Sequence, residues 1–200
     1  MSDDLTRGGP LMATVPGGGI EAQVFTNEAK NIQVGFFYST SWNDLGASAN
    51  SVRLNFRARP GSRWQFTVAP SWRESNNARQ YIGVYAGGTP ATYDARYVFS
   101  WVKQTTLSMQ LRLNYSFTPG LTLEAYAEPF ASSGNFSQYG ELAEAETTTL
   151  RAYGTDNTTI SQDPSGNYVV TDGNNGQTFT LPNNNFNVLS YRSNVVLRWE

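Results

Sequence analysis

Any chemistry in this chain falls to carboxylates, hydroxyls and arginines, because its 200 residues include no cysteine and no histidine. That composition excludes a disulfide framework, a zinc–thiolate site, a thiol nucleophile, a Ser-His-Asp triad and an imidazole metal site. The net charge is −2 and the arginines are scattered, which predicts no nucleic-acid partner. We therefore expect no catalytic residue, no metal and no cofactor.

Two glutamates, Glu124 and Glu128, lie on one face of a predicted strand and form the clearest candidate acid/base pair. At about 3.3 Å per residue their Cα atoms would be roughly 13 Å apart. Glycosidase carboxyl groups lie only about 5–9.5 Å apart. Pairing with arginine or simple solvation is therefore favoured over catalysis.

Several arginines fall on the polar side of alternating segments. They could form a charged wall that binds or selects anionic or sugar-like solutes, since guanidinium is a planar, forked donor. They could also belong to a solvated sheet face with cross-strand Arg–Glu pairs, which we favour. The set comprises Arg53, Arg57, Arg59, Arg63, Arg73, Arg112, Arg192 and Arg198.

A faint calcium-loop pattern occurs at residues 163–167, where oxygen-bearing side chains alternate. The pattern lacks the glutamate that closes such a loop at its twelfth position. A plain turn is the favoured interpretation.

Apolar and polar residues alternate with a period of two along much of the chain, which predicts β-strands. The clearest case covers residues 107–117. Helix signals are confined to residues 141–152. The other strong strand predictions are residues 32–42, 52–58, 64–72, 121–127 and 189–199, and the weaker ones are 20–27, 81–86 and 96–103.

These segments predict an all-β fold, an antiparallel up-and-down meander of about nine long strands that forms part of a transmembrane β-barrel. Strands in soluble proteins are mostly about five or six residues long, whereas a tilted membrane strand needs about 9–11. No stretch is apolar enough for a helical span of about 20 residues. Residues 1–200 are expected to form one partial barrel domain.

Tight and long connections alternate between the strongest strands, as in outer-membrane barrels. Residues 1–19 would be a lead-in segment, and residues 132–185 a long external excursion that contains hairpin pieces at 167–171 and 177–181. The tight links are residues 27–30, 59–62 and 118–120, and the long ones are 43–50, 74–78 and 132–185. Two links, residues 86–95 and 104–106, break the alternation.

The alternation assigns side chains to two faces. Aromatic residues near strand ends on the apolar face are typical of interfacial girdles, whereas a soluble sandwich would spread them through strand centres. The predicted lumen-lining residues are Arg53, Asn55, Arg57, Arg63, Gln65, Arg73, Gln110, Arg112, Asn114, Glu124, Glu128, Arg192, Asn194 and Arg198. The predicted lipid-facing residues are Phe36, Tyr38, Trp42, Leu54, Phe56, Trp64, Phe66, Trp72, Leu111, Leu113, Tyr115, Phe117, Leu197 and Trp199.

The chain opens without a basic and apolar signal segment and stops within a predicted strand, so we expect a fragment of a longer protein. Five stretches, residues 6–12, 96–108, 111–119, 126–142 and 192–200, together resemble an uncharacterised bacterial family. Its members carry an N-terminal carbohydrate-binding family 9-like module followed by an outer-membrane β-barrel domain of unknown function. The resemblance covers nearly the whole chain, which would be the C-terminal part of the barrel.

The resemblance implies location and architecture more than activity. In that family the strand ending in Arg-Trp-Glu is followed by a Pro-Gly turn and a last strand. This sequence contains neither these nor the sugar-binding module, and no catalytic residue can be carried over. Carbohydrate contact would thus belong to the module.

The favoured function is a pore, receptor or scaffold of a Gram-negative outer membrane, with membrane lipid as its partner. The alternative is a soluble secreted or periplasmic β-sandwich that binds polysaccharide with its aromatic residues. An outer-membrane barrel enzyme is disfavoured because histidine is absent.

Overall fold

The computed structural model describes residues 1–27 and 29–200, and it confirms an all-β, antiparallel, meander-like architecture. Apart from one 3-10 turn at Pro90–Thr92, the regular structure of these residues is entirely strand. The strands are β1 (Gly17–Phe25), β2 (Ile32–Asn43), β3 (Ser48–Ala58), β4 (Trp64–Ala86), β5 (Ala95–Thr118), β6 (Leu121–Leu142), β7 (Leu150–Ala152), β8 (Thr158–Gln162), β9 (Tyr168–Asp172), β10 (Gln177–Leu181) and β11 (Phe186–Trp199).

One large sheet runs in the order β1-β2-β3-β4-β5-β6-β11, and β7 pairs with the end of β6. A second sheet has the order β10-β9-β8. All named strand pairs in both sheets are antiparallel. Within the described residues β1 and β11 do not pair with each other, so the large sheet has two edges.

Cross-strand register makes most rows of the lower part of the large sheet either mainly apolar or mainly polar, because directly opposed residues share a face. One apolar row comprises Phe56, Val68, Leu111 and Ala127. The polar row next to it comprises Arg57, Thr67, Arg112 and Tyr126. A slip of one residue in any strand would place its apolar side chains among the arginines.

Three strands are far longer than the sequence pattern predicts: β4 has 23 residues, β5 has 24 and β6 has 22. The predicted links at residues 74–78 and 104–106 are wrong, since Ser75 pairs with Gln104 and Gln104 with Gly134. Polar residues interrupt the alternation there without interrupting the backbone ladder. Residues 81–86 and 96–103, predicted as separate strands, are the ends of β4 and β5.

The hairpin turns at residues 59–62 and 118–120 are confirmed, and so are the hairpin pieces that became β9 and β10. The predicted helix at residues 141–152 is wrong, because Glu141 and Leu142 end β6 and Leu150–Ala152 forms β7. The excursion leaves the sheet at residue 143, since β6 continues past Ser132 to Leu142. The predicted link 27–30 includes residue 28, which lies outside the described residues.

The molecule divides into two parts, which we name the lower sheet and the cap. The lower sheet comprises β1, β2, β3, β11 and residues 64–73, 106–118 and 121–132. The cap comprises residues 1–16, 74–105 and 133–185. All the described apolar side chains that are buried, among them Met12, Val98, Phe99, Tyr139 and Val170, belong to the cap.

The cap covers both faces of the upper part of β5. On one face Val98 packs with Tyr139 of β6, Tyr153, Val170 and Leu181. On the other face Phe99 packs with Met12 and Leu142. Since the bulges near Val98 lie on β4 and β6, β5 alternates without interruption from Val98 to Arg112, and the face of Val98 continues downward into the polar face of the lower sheet. The sheet β8–β10 therefore packs on the same side as the arginines.

The β6–β11 register predicts which cysteine pair can form a disulfide in this cysteine-free chain. Ala125 and Val195 are direct partners, so their Cα atoms should be about 4.5–5.5 Å apart, within disulfide range. Ala125→Cys with Val195→Cys should therefore cross-link quantitatively under mild oxidation, as measured by a non-reducing gel.

The matched control is Ala125→Cys with Asn194→Cys, because Asn194 points to the opposite face. Preferential cross-linking of this second pair would show that the register is shifted by one residue.

Candidate functional site

The polar face of the lower sheet gathers the residues that the sequence predicts to line a lumen, except Arg63, which lies in the turn before β4. Its rows join Arg53 with Ser71, Gln65 with Asn114, and Arg192 with Glu128. All the residues predicted to face lipid lie on the other face, as in the rows that join Phe36 with Leu54 and Phe66 with Leu113. The two sets are thus separated by the sheet itself.

The two candidate acid/base glutamates are paired with arginines of the neighbouring strand. Glu128 lies 3.7 Å from Arg192, and Glu124 lies 3.8 Å from Arg198. The Tyr126 hydroxyl donates to Glu128 at 2.7 Å, and the guanidinium of Arg112 lies 5.1 Å from the centroid of the Tyr126 ring. These contacts agree with cross-strand charge pairing.

The arginines of β3 and β4 are arranged differently. Arg53, Arg57 and Arg73 form no ion pair with any described carboxylate. The Nε of Arg57 is buried and has no described hydrogen-bond partner. No described carboxylate is therefore paired with the positive charges on this part of the face.

The apolar face of the lower sheet carries no charged residue among those described. Aromatic rings cluster at its lower rim. The ring centroids of Trp64 and Tyr115 are 4.4 Å apart, and those of Tyr115 and Phe117 are 4.7 Å apart. Above Trp72 the first charges are Glu74 and Lys103, which form an ion pair of 3.2 Å. An uncharged belt thus separates an aromatic rim from an ionic one.

A buried ion network in the cap joins strands of the large sheet to the excursion. Arg96 of β5 contacts Glu141 of β6 and Asp172 of β9, each at 2.8 Å. Arg151 of β7 contacts the same two carboxylates at 3.0 and 2.8 Å, and the hydroxyl of Tyr153 donates to Glu141 at 3.1 Å. The side chains of Arg96 and Asp172 are only 1% and 3% exposed.

Asp172 keeps its negative charge in this network although its side chain is buried. Hydrogen bonds from Arg151, opposed by desolvation and reinforced by Arg96, keep the pKa of Asp172 well below its usual range. Burial raises the pKa of Tyr153, and the neighbouring charge of Glu141 raises it further. Burial also raises the pKa of Tyr139 to about 12. The carboxylate of Asp172, which joins Arg96 and Arg151 in the cap, therefore stays ionised at neutral pH.

Sequence reasoning missed this network, because Arg96 is separated from Glu141 by 45 residues and from Asp172 by 76. The structure contains no metal-binding cluster of acidic residues within its described part. The run at 163–167 is a turn, as predicted, in which Asp163 accepts from the backbone N–H groups of Ser165 and Asn167.

A scan of the chain against protein-family models found no match, and neither did searches of curated proteins and solved structures. In residues 1–27 and 29–200 there is no helix long and apolar enough to cross a membrane. The geometry of the chain is thus the basis on which its function is argued.

Asp172→Asn should destabilise the cap by about 3–5 kcal/mol at neutral pH, because it leaves the guanidiniums of the buried Arg96 and the partly buried Arg151 with one carboxylate. The folded-state pKa of Asp172 lies below the unfolded value of about 3.9, so its contribution is complete above that pH. The gap between wild type and variant should narrow as the pH falls below about 4. Urea unfolding in detergent micelles, followed by near-ultraviolet circular dichroism, measures both effects.

Asp163→Asn is the matched control, since Asp163 lies in an external turn and makes no ion pair with a described residue. Its effect should stay within about 0.5 kcal/mol. An Asp172→Asn effect as small as this, or one that grows with acidification, would contradict the assigned role of the network.

Proposed function

We propose that the chain forms part of the wall of an outer-membrane β-barrel that serves as a pore, receptor or scaffold. In this proposal the lower sheet lies in the bilayer with its apolar face toward lipid and its polar face toward the interior. The cap stands at one end, outside the hydrocarbon region. No catalytic step is assigned to the chain.

The observation that carries the proposal is the exposure of the apolar face. Leu107, Val195 and Leu197 are 56%, 67% and 62% exposed, and no described element packs over them as a core. An uncovered apolar face of this extent would be an aggregation surface in water. Contact with lipid acyl chains would remove the same apolar surface from water.

The height of the uncharged belt fits a bilayer. The alternating part of β5, residues 107–117, matches the about 9–11 residues of a tilted membrane strand. The aromatic rim at Trp64 and Tyr115 and the ion pair between Glu74 and Lys103 bound this belt from below and above. An apolar hollow of about 510 Å³ between Pro70, Met109 and Tyr191 gives acyl chains a further surface to fill.

Closure of the barrel needs strands beyond the seven that form the large sheet. Gly17 of β1 and Phe186 of β11 both lie at the cap end, and both strands run away from it. Direct pairing of these edges, within one copy or between copies in the same membrane orientation, would be parallel. An antiparallel barrel therefore requires an odd number of additional strands between them.

The proposed orientation follows from the connections. The turns at residues 59–62 and 118–120 lie at the end opposite the cap and are short, as periplasmic turns are. The cap holds the long excursion 143–185, which corresponds to an external loop. The side on which β8–β10 packs would set the cap over the mouth of the interior.

The rival function, a soluble polysaccharide-binding sandwich, needs a second sheet about 10 Å from the apolar face. The second sheet of this molecule, β8–β10, instead packs in the cap, on the side continuous with the polar face. The membrane proposal accounts for that placement, and the sandwich does not.

Membrane lipid is the proposed partner, and nucleic acid and cofactors have no place in the mechanism. The resemblance to a barrel family with a sugar-binding module stays a prediction. Under it, carbohydrate would be bound by that module.

Leu111→Arg should destabilise the lipid-inserted state by about 2–4 kcal/mol, because it places a charge on the lipid face near the middle of the belt. Arg112→Gln is the matched change one residue further, on the polar face, and should be tolerated. Urea titration of protein folded into phosphatidylcholine vesicles, read by the tryptophan fluorescence shift, compares the two variants.

Equal tolerance of the two substitutions would contradict the lipid-facing assignment. So would a wild-type chain that stays in the aqueous supernatant when vesicles are pelleted in alkaline carbonate.

A further inference from the structure

Four arginines lie close together on the polar face, on strands β3, β4 and β5. Arg57 and Arg112 share one cross-strand row, separated by Thr67. Arg53 lies four residues above Arg57 on β3, or about 13 Å. Arg73 lies diagonally above Arg53, two residues beyond its partner Ser71, at about 7–8 Å between Cα atoms. We name these four residues the arginine ladder.

The ladder lacks the carboxylates that other arginines of this face possess. Arg192 and Arg198 on β11 have Glu128 and Glu124 beside them. No member of the ladder forms an ion pair with a described residue. The charge of Arg112 reaches Glu128, but that carboxylate already accepts from the Tyr126 hydroxyl at 2.7 Å.

Open space lies next to the upper half of the ladder. Arg53 lines a hollow of about 440 Å³ together with Gln23, Phe37 and Ser51. Arg73 lines a neighbouring hollow of about 390 Å³ together with Ser39 and Ser41. Glu21 borders both hollows and is ion-paired with neither arginine. The guanidiniums there are accessible, and the hollows that they line also present hydroxyl groups, the amide of Gln23 and the carboxylate of Glu21.

Arginines that line hollows without a paired carboxylate create a positive potential that concentrates anions. Guanidinium offers parallel N–H donors that match the oxygens of phosphate, sulfate and carboxylate groups. Neutral sugars would use the hydroxyl and amide groups but gain nothing from the four positive charges. The four positive charges therefore favour an anionic ligand over a neutral sugar.

We propose that the arginine ladder binds oxyanions and makes the polar face a path for phosphate-, sulfate- or carboxylate-bearing solutes. The inference rests on the proposed function in that it assigns a solute class to the proposed interior. The binding itself requires only the polar face.

The test uses the whole chain in zwitterionic detergent micelles, labelled with ¹⁵N-arginine, with inorganic phosphate as the probe at constant ionic strength. The Nε–H resonances of the ladder arginines, Arg53, Arg57, Arg73 and Arg112, should shift and saturate together as phosphate replaces chloride. The spectrum recorded in chloride alone is the baseline. Arg151, which is held by Asp172 in the cap, serves as the internal reference and should not move.

Arg53→Gln with Arg73→Gln should weaken phosphate binding at least about tenfold, the factor for loss of one or more charge-assisted hydrogen bonds. Arg192→Gln is the matched control, because Arg192 already has Glu128 as its partner, and it should leave the phosphate affinity within about twofold. Both substitutions lie on the polar face, so each variant is expected to fold.

Shifts that rise equally and without saturation at all exposed arginines would overturn the proposal. Equal responses to maltose and to phosphate would replace the anion by a neutral sugar. Failure of vesicle insertion with saturable phosphate shifts would refute the barrel and keep the anion site. Vesicle insertion without saturable phosphate shifts would refute the anion site and keep the barrel.

Discussion

The structure depends on one constraint, the apolar face of the lower sheet, which no other described part of the chain covers. The face extends from β1 to β11 because the strands are in register, and most of its rows are apolar, as in the row that joins Tyr38, Val52, Trp72 and Leu107. A sheet in water would bury such a face against a second layer. In our proposal a bilayer supplies that layer, while the sheet satisfies most of its own backbone hydrogen bonds.

The cap is stabilised differently from the lower sheet. Above Glu74 and Lys103 the long strands acquire apolar neighbours on both faces, and Val98 and Phe99 become fully buried. The core is small, and the ion network of Arg96, Glu141 and Asp172 ties the excursion to it. One polypeptide therefore uses two modes of stabilisation, lipid burial below in our proposal and a protein core above.

Local pattern predicted the strands of the lower sheet, whereas in the cap it predicted the hairpin of β9 and β10 but missed the upper parts of β4, β5 and β6 as continuous strands. The alternation at residues 107–117 assigns faces because a strand has a period of two, and turn residues at 59–62 mark the hairpin. The polar stretch at residues 74–78 looks like a loop in sequence, yet it stays paired with β5. The ion network was beyond prediction, because its members meet only through the topology.

The most direct test scans β5 with single nitroxide-labelled cysteines in lipid vesicles, which the cysteine-free chain permits. Between residues 107 and 117, odd positions should collide with oxygen and even positions with a water-soluble nickel complex, with a period of two. At Phe99 and Ser100, which the cap buries, both collision rates should be low. Two results would contradict the membrane account. The collision rates with oxygen and with the nickel complex could rise and fall together along residues 107–117, or the odd positions could be protected from both reagents.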